Sequence, residues 1–208
     1  MCNLYRLNRP AADVARLFGV ETAQGNNPSD DVYPGSSGLV MANRRLRAMH
    51  WGFPPAPTGR ARQKPKSEPV THAGHDQLDT AFWRTSFEGR RCLIPVSAWA
   101  EPEGEAGQMT RTWYALPGDE PFAVAGLWRA TEEWGDAYAM VTVEGPCGMP
   151  GAPEKMPLIL DREDWKLWLE GSPREALSLC RGWGGELHVD RTDVRWAARG
   201  FRGALPFE

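Results

Sequence analysis

A cysteine at position 2 and a glutamate at position 101 are the residues whose types and places permit chemistry. Once Met1 is removed, Cys2 carries a free α-amine and a thiol on one short carbon skeleton. Such a 1,2-aminothiol traps aldehydes. The amine attacks the carbonyl to give a Schiff base, and the thiol closes a five-membered thiazolidine. An α-amine with a pKa of roughly 7.7–8.0 and a thiol with a pKa of about 8.5 both keep a nucleophilic fraction near neutrality. Dehydration of the carbinolamine needs a proton donor and acceptor, a task suited to a carboxyl group whose pKa is raised by apolar surroundings. Glu101 ends the apolar run LIPVSAWAE, between Ala100 and Pro102. Each residue also has a plainer reading. Cys2 can be a small hydrophobe under a first strand, and Glu101 an exposed strand end.

Other candidates are weaker. Between Asp31 and Glu68 there is no acidic residue, yet the stretch carries Arg44, Arg45, Arg47, Arg60, Arg62, Lys64 and Lys66. In a chain of net charge -3, this reads either as one face built for an anion or as a solvated loop. His72-x-x-His75-Asp76 lacks the third and fourth ligands of a zinc site, so neither a metal nor a cofactor is expected. P-loop, Rossmann, HExxH and GxSxG motifs are absent.

The elements that must position these residues follow from periodicity and punctuation. The 208 residues are 41% hydrophobic and 25% charged, ordinary for a soluble globular chain. No apolar run reaches membrane-span length and the start lacks a signal-peptide pattern, so a cytoplasmic protein is expected. The four scattered cysteines form no CxxC pair, which argues against a zinc knuckle or a disulfide framework. LYRLN reads as a strand. Asn8 is placed to cap a helix over PAADVARLF that Gly19 stops. GLVMANRRLRAMHWGF reads as a hairpin turning near Ala42–Asn43. RRCLIPVSAWAE reads as one central strand, and TAFWRTSF as a short helix. RTWYALP, FAVAGLWRA, AYAMVTVEG and LHVDRTDVRW read as further strands. Asp161 is placed to cap one late helix, and SPRE opens another with capping-box chemistry. Seven or eight strands and four short helices imply an α+β fold. A single domain over residues 1–208 is expected, with a curved, mostly antiparallel, β-barrel-like core and short flanking helices.

Taken together, MCNLY, VYPG at Val32–Gly35, MHWGFP at Met49–Pro54, RRCLIPVSAWAE at Arg90–Glu101, AGLWR at Ala125–Arg129 and KMPLIL at Lys155–Leu160 resemble the SRAP (SOS response-associated peptidase) family, in order and in spacing. The resemblance covers nearly the whole chain. It implies self-removal of Met1 in an autoproteolytic, cysteine-peptidase-like step. It further implies a covalent thiazolidine cross-link between Cys2 and an abasic site in single-stranded DNA. By the same resemblance, Cys2 falls on the nucleophile, Glu101 on the glutamate that assists both steps, and Trp51 on an aromatic lining a basic groove. Arg44, Arg45, Arg47 and Lys155 are the candidate DNA contacts, with no membrane partner and a monomer expected. Five positions depart from the family pattern. His72 stands at the usual asparagine and is the third candidate catalytic residue. Gly74 and Lys155 replace arginines, Pro153 replaces a histidine, and Asp31 an asparagine. A non-catalytic single-stranded DNA binder, or a hydrolase on the same scaffold, are the alternative readings.

Overall fold

The computed structural model describes residues 3–22, 30–54, 68–145 and 153–196. Cys2, Arg60, Arg62, Lys64 and Lys66 lie outside the described residues. In chain order the elements are β1 (Tyr5–Arg6), α1 (Ala11–Phe18), β2 (Glu21–Thr22), β3 (Asp31–Val32), β4 (Ser37–Ala42), β5 (Arg45–Trp51) and β6 (His72–Gly74). Then come α2 (Arg84–Gly89), β7 (Arg91–Val96), β8 (Ala98–Glu103), β9 (Thr110–Ala115), β10 (Phe122–Thr131) and β11 (Gly135–Glu144). The chain closes with β12 (Lys155–Pro157), β13 (Ile159–Leu160), α3 (Trp165–Glu170), α4 (Pro173–Ser178) and β14 (His188–Arg195).

Five strands close into a barrel in the order β4-β5-β11-β10-β7, with β7 returning to β4 through Met41 and Leu93. All its pairings are antiparallel except β5 with β11, where Ala137 and Tyr138 meet His50 and Trp51. A separate sheet, ordered β14-β9-β8-β1-β3, flanks it. The expected barrel-like core with short helices is the observed architecture. Among the described residues no helix is long and apolar enough to cross a membrane.

The β4–β5 hairpin turns on Asn43 and Arg44, both at positive φ (51° and 60°), the geometry that matches the twist of a two-residue hairpin. Near-continuous buried runs supply most of the barrel wall, but the apolar run from Arg90 to Glu101 is two strands rather than one. It breaks at Ser97, whose N–H donates to the Arg6 carbonyl at 2.7 Å and whose hydroxyl donates to Asn8 Oδ1 at 2.7 Å. The break carries the chain out of the barrel into the flanking sheet. It also engages Asn8, so the cap of α1 falls to Pro10 without a side-chain bond. Gly19 ends α1 in the left-handed region, as its sequence position implies. Asp161 makes no side-chain cap and precedes a short 3-10 turn, whereas Ser172 and Glu175 form the expected capping box. The buried Arg91 guanidinium ties two helix ends to the barrel, donating to the carbonyls of Phe87, Trp168 and Gly171.

A buried polar contact joins barrel and flanking sheet. The hydroxyls of Tyr5 and Tyr138, both fully buried, lie 2.5 Å apart. A Cβ at Gly38 would collide with both oxygens. Gly38→Ala is therefore expected to cost about 3 kcal/mol through overpacking, measured as a drop in the denaturant midpoint. A larger residue than alanine at position 38 should prevent folding.

Candidate functional site

Of the predicted site residues, Arg47, Trp51, His72 and Lys155 are aligned along one face of β11. Its alternate residues Asp136, Tyr138, Met140, Thr142 and Glu144 share a face of the strand, because side chains alternate across a strand. Arg47 meets Asp136 in an ion pair at 3.0 Å, and Tyr5 meets Tyr138. His72 pairs with Met140 and Gly74 with Thr142 in parallel register. Lys155 pairs with Glu144. At a rise of about 3.3 Å per residue, this row extends roughly 27 Å. The sequence separates these residues by more than a hundred positions, and the barrel lines them up.

Trp51 ends β5 and is fully buried. Its ring sits edge-on to Tyr5, with centroids 5.1 Å apart, and edge-on to His72 at 5.8 Å. Its Nε1 donates to the Thr71 carbonyl at 3.2 Å. Trp51, expected to line a groove, is packed inside the barrel, because β5 turns its Met49–Trp51 face inward. His72 is partly exposed, and its Nδ1 shares a 2.8 Å hydrogen bond with the Thr71 hydroxyl. A Cβ at Gly74 would lie 2.5 Å from Asp76 Oδ1. A carboxylate thus occupies the space where an arginine side chain would begin.

Glu101 lies in the flanking sheet, 6% exposed. Burial pushes its carboxyl up to about 7. Two residues on, Glu103 is held below the usual range, first by the Thr112 hydroxyl at 2.5 Å and further by Arg191 at 3.1 Å. One strand therefore holds two glutamates with opposite proton affinities, the pattern by which an acid and an ionised group are told apart. Glu101 follows Trp99, which pairs with Tyr5 across β8 and β1. The Ala100 N–H donates to the Leu4 carbonyl at 2.9 Å. The Tyr5 and Trp51 rings then link this strand to His72.

The candidate cations are mostly matched with acids. Arg45 stands 3.7 Å from Glu21, Arg47 3.0 Å from Asp136 and Lys155 4.0 Å from Glu144. Arg47 also stacks over Trp128 at 4.8 Å. Arg44, at the hairpin tip, has no ion pair among the described residues. The stretch that reads as free of acids in sequence acquires them from β2 and β11, so its field is weaker than its composition implies. Among the described cysteines, Cys92 is fully buried and burial pushes its thiol far up. Cys180 is pushed up to about 11 by burial. Neither is a nucleophile at neutral pH. No group of three His, Cys, Asp or Glu among the described residues is placed to hold a metal ion. Sequence reasoning missed Tyr5, Thr71 and Tyr138. Tyr5 lies inside MCNLY, but nothing in the sequence pairs it with residue 138.

The profile of a family described as SOS response associated peptidase (SRAP) matches residues 1–194. No curated protein matches the sequence. Among solved structures, the fold is similar to a Bacteroides thetaiotaomicron protein (TM-score 0.77, 18% identity, 92% of this chain and 93% of that one). It is also similar to a Bordetella bronchiseptica protein (0.74, 20%, 92% and 99%). A phage-related protein from the same species gives 0.68 at 18% identity, covering 92% and 94%. At these identities the likeness is one of fold.

The raised Glu101 carboxyl has a sign. The folded state keeps this proton beyond the ordinary carboxyl range, up to about 7. The stability the proton supplies is complete at acid pH and lost as pH rises through about 7. Glu101→Gln, which cannot ionise, should therefore be more stable than the unmutated protein above that pH, by about 3 kcal/mol. Chemical denaturation at pH 5 and pH 8.5 checks this, with the difference between the two proteins confined to the higher pH.

Proposed function

The chain belongs to the SOS response associated peptidase (SRAP) family, and on that premise we propose that it processes abasic sites in single-stranded DNA. Water hydrolyses the Met1–Cys2 amide and releases methionine. The Cys2 amine adds to the aldehyde of the ring-opened abasic sugar to give a carbinolamine. Protonated Glu101 donates to the departing hydroxyl, water leaves, and a Schiff base remains. The thiol then adds to the imine carbon and the nitrogen takes a proton. One C–N and one C–S bond have formed and one water has been lost.

The observation that carries this reading is the environment of Glu101. Its carboxyl is buried and pushed up to about 7, so near neutrality both its forms are populated and it can give or take a proton. Its strand is bonded to the first strand through Ala100 and Leu4, which favours a role at the chain start. The buried, inert thiols of Cys92 and Cys180 leave Cys2 as the better nucleophile. His72, held by Thr71, is proposed as a second proton-handling or hydrogen-bonding group. Arg44, Arg45, Arg47 and Lys155 are proposed as contacts to the DNA backbone. A second reading, a binder without the chemistry, is favoured by Asp76 Oδ1 standing where the side chain of an arginine at position 74 would begin.

Intact mass and an oligonucleotide with one abasic site separate these readings. The purified protein should begin at Cys2 and form a covalent adduct lighter by one water than the sum of its parts. Full retention of Met1 would overturn the cross-linking mechanism. Salt-sensitive binding without an adduct would establish the second reading instead.

Glu101→Gln should keep Met1 wherever self-processing is the route, and its mature form should cross-link about 100-fold more slowly. In the unmutated protein the rate should fall as pH rises through about 7. Rate profiles of Glu101→Gln and His72→Ala assign that step. An inflection lost only in Glu101→Gln makes Glu101 the proton donor, whereas loss only in His72→Ala transfers the role to His72.

A further inference from the structure

Arg129, on β10, differs from the candidate cations of β5 and β12. Its guanidinium lies 4.0 Å from the ring centroid of Phe53 and 4.5 Å from that of Phe82. These two rings stand 6.3 Å apart at 50°. One nitrogen, Nη1, donates to the Phe82 carbonyl at 3.4 Å. Aromatic rings take the flat faces of a guanidinium and leave its N–H edge available. Arg129 is partly exposed, so its guanidinium is not sealed inside the barrel.

Arg90 stands beside it, fixed by the bond from the Trp128 N–H to the Arg90 carbonyl at 2.9 Å, and is exposed. Among the described residues neither guanidinium has a carboxylate within ion-pair distance, although Glu88 is near Arg90 in sequence. Burial, and behind it the charge of Arg90, makes the Arg129 cation costlier than usual. Two adjacent arginines, one held rigid by stacked rings and both without a counter-charge, form a preorganised anion receptor.

We propose that Arg129 and Arg90 grip the phosphate backbone of the single-stranded DNA as it runs past the site. This rests on the function proposed above. The argument for a polynucleotide is position. Phe53, which carries Arg129, follows Trp51 and Gly52 and bridges to Val70, two residues before His72. The backbone that bridges to Phe53 is thus about 7 Å along the chain from that of His72, so the receptor flanks a candidate catalytic residue and can meet a phosphate on the strand that reaches it.

The test uses the full chain and an oligothymidine without a lesion, with affinity read by fluorescence anisotropy across a salt series. Single strands lose affinity with a log–log slope of roughly 0.7 per phosphate contact. The double variant Arg90→Ala/Arg129→Gln should therefore bind more weakly and show a slope shallower by about 1.4. Arg129→Lys, which keeps the charge but not the fork, should recover part of it. Arg90→Glu, on the exposed residue alone, should weaken binding even if the double variant is poorly folded. Unchanged affinity and slope in both the double variant and Arg90→Glu would overturn the proposal. So would competition by polyglutamate at these residues with no binding of the oligothymidine, which would make the patch a protein-docking surface. Failure of the abasic cross-link while arginine-dependent binding persists would overturn only the chemistry of the proposed function. Absence of any DNA binding by the unmutated protein would overturn both.

Discussion

The hydroxyls of Tyr5 and Tyr138 meet 2.5 Å apart inside the molecule, and through this bond two sheets that share no strand are held in register. Removing either hydroxyl takes a hydrogen bond from the other inside the molecule, a loss of about 1 kcal/mol. Gly38 supplies the room, since no side chain fits beneath the two oxygens. The edge-on contact of Tyr5 with Trp51 extends the junction to His72. Its pairing with Trp99 extends it to the strand that ends at Glu101. Loosening this contact would move the candidate acid relative to the rest of the site.

Around that junction, β11 works as a measuring rod. It borders β5 and β6 on one side and β10 and β12 on the other. Residues from four distant parts of the chain are thereby spaced at two-residue intervals. The same strand brings acids. Asp136 and Glu144 neutralise Arg47 and Lys155, and β2 brings Glu21 to Arg45. A surface that reads as basic in sequence is moderated by strand pairing. Among the described residues, Arg129 and Arg90 have no carboxylate at ion-pair distance, and the Phe53 and Phe82 rings stabilise the Arg129 cation by cation–π attraction instead.

Glu101 and Glu103 show how little the residue type says about protonation. Both are glutamates on one strand, two residues apart. Glu103 is partly solvated and accepts hydrogen bonds from Thr112 and Arg191, which favour its anion. Glu101 is enclosed, and loss of water outweighs the interactions that would favour its charge. The difference is set by which side chains the neighbouring strands deliver.

Some of this is legible in the residues themselves. The hairpin from Gly38 to Trp51 with its turn at Asn43, the stop at Gly19 and the Ser172–Glu175 capping box are local, because each depends on neighbours within a few positions. The motifs from MCNLY to KMPLIL likewise identify the family and the chemistry worth testing. What a linear reading misses is non-local. RRCLIPVSAWAE looks like one strand because hydrophobicity does not record a change of sheet, and only the bonds of Ser97 to Arg6 and Asn8 divide it. Asn8 looks like a cap because its competing partner lies 89 residues away. Trp51 looks like a groove aromatic, yet barrel closure buries it. The sequence by itself determined the strand pattern, the family and the candidate nucleophile and acid. Tertiary structure alone decided which charges are matched, which carboxyl keeps its proton and which rings are enclosed, because burial and pairing are set by residues that only folding brings together.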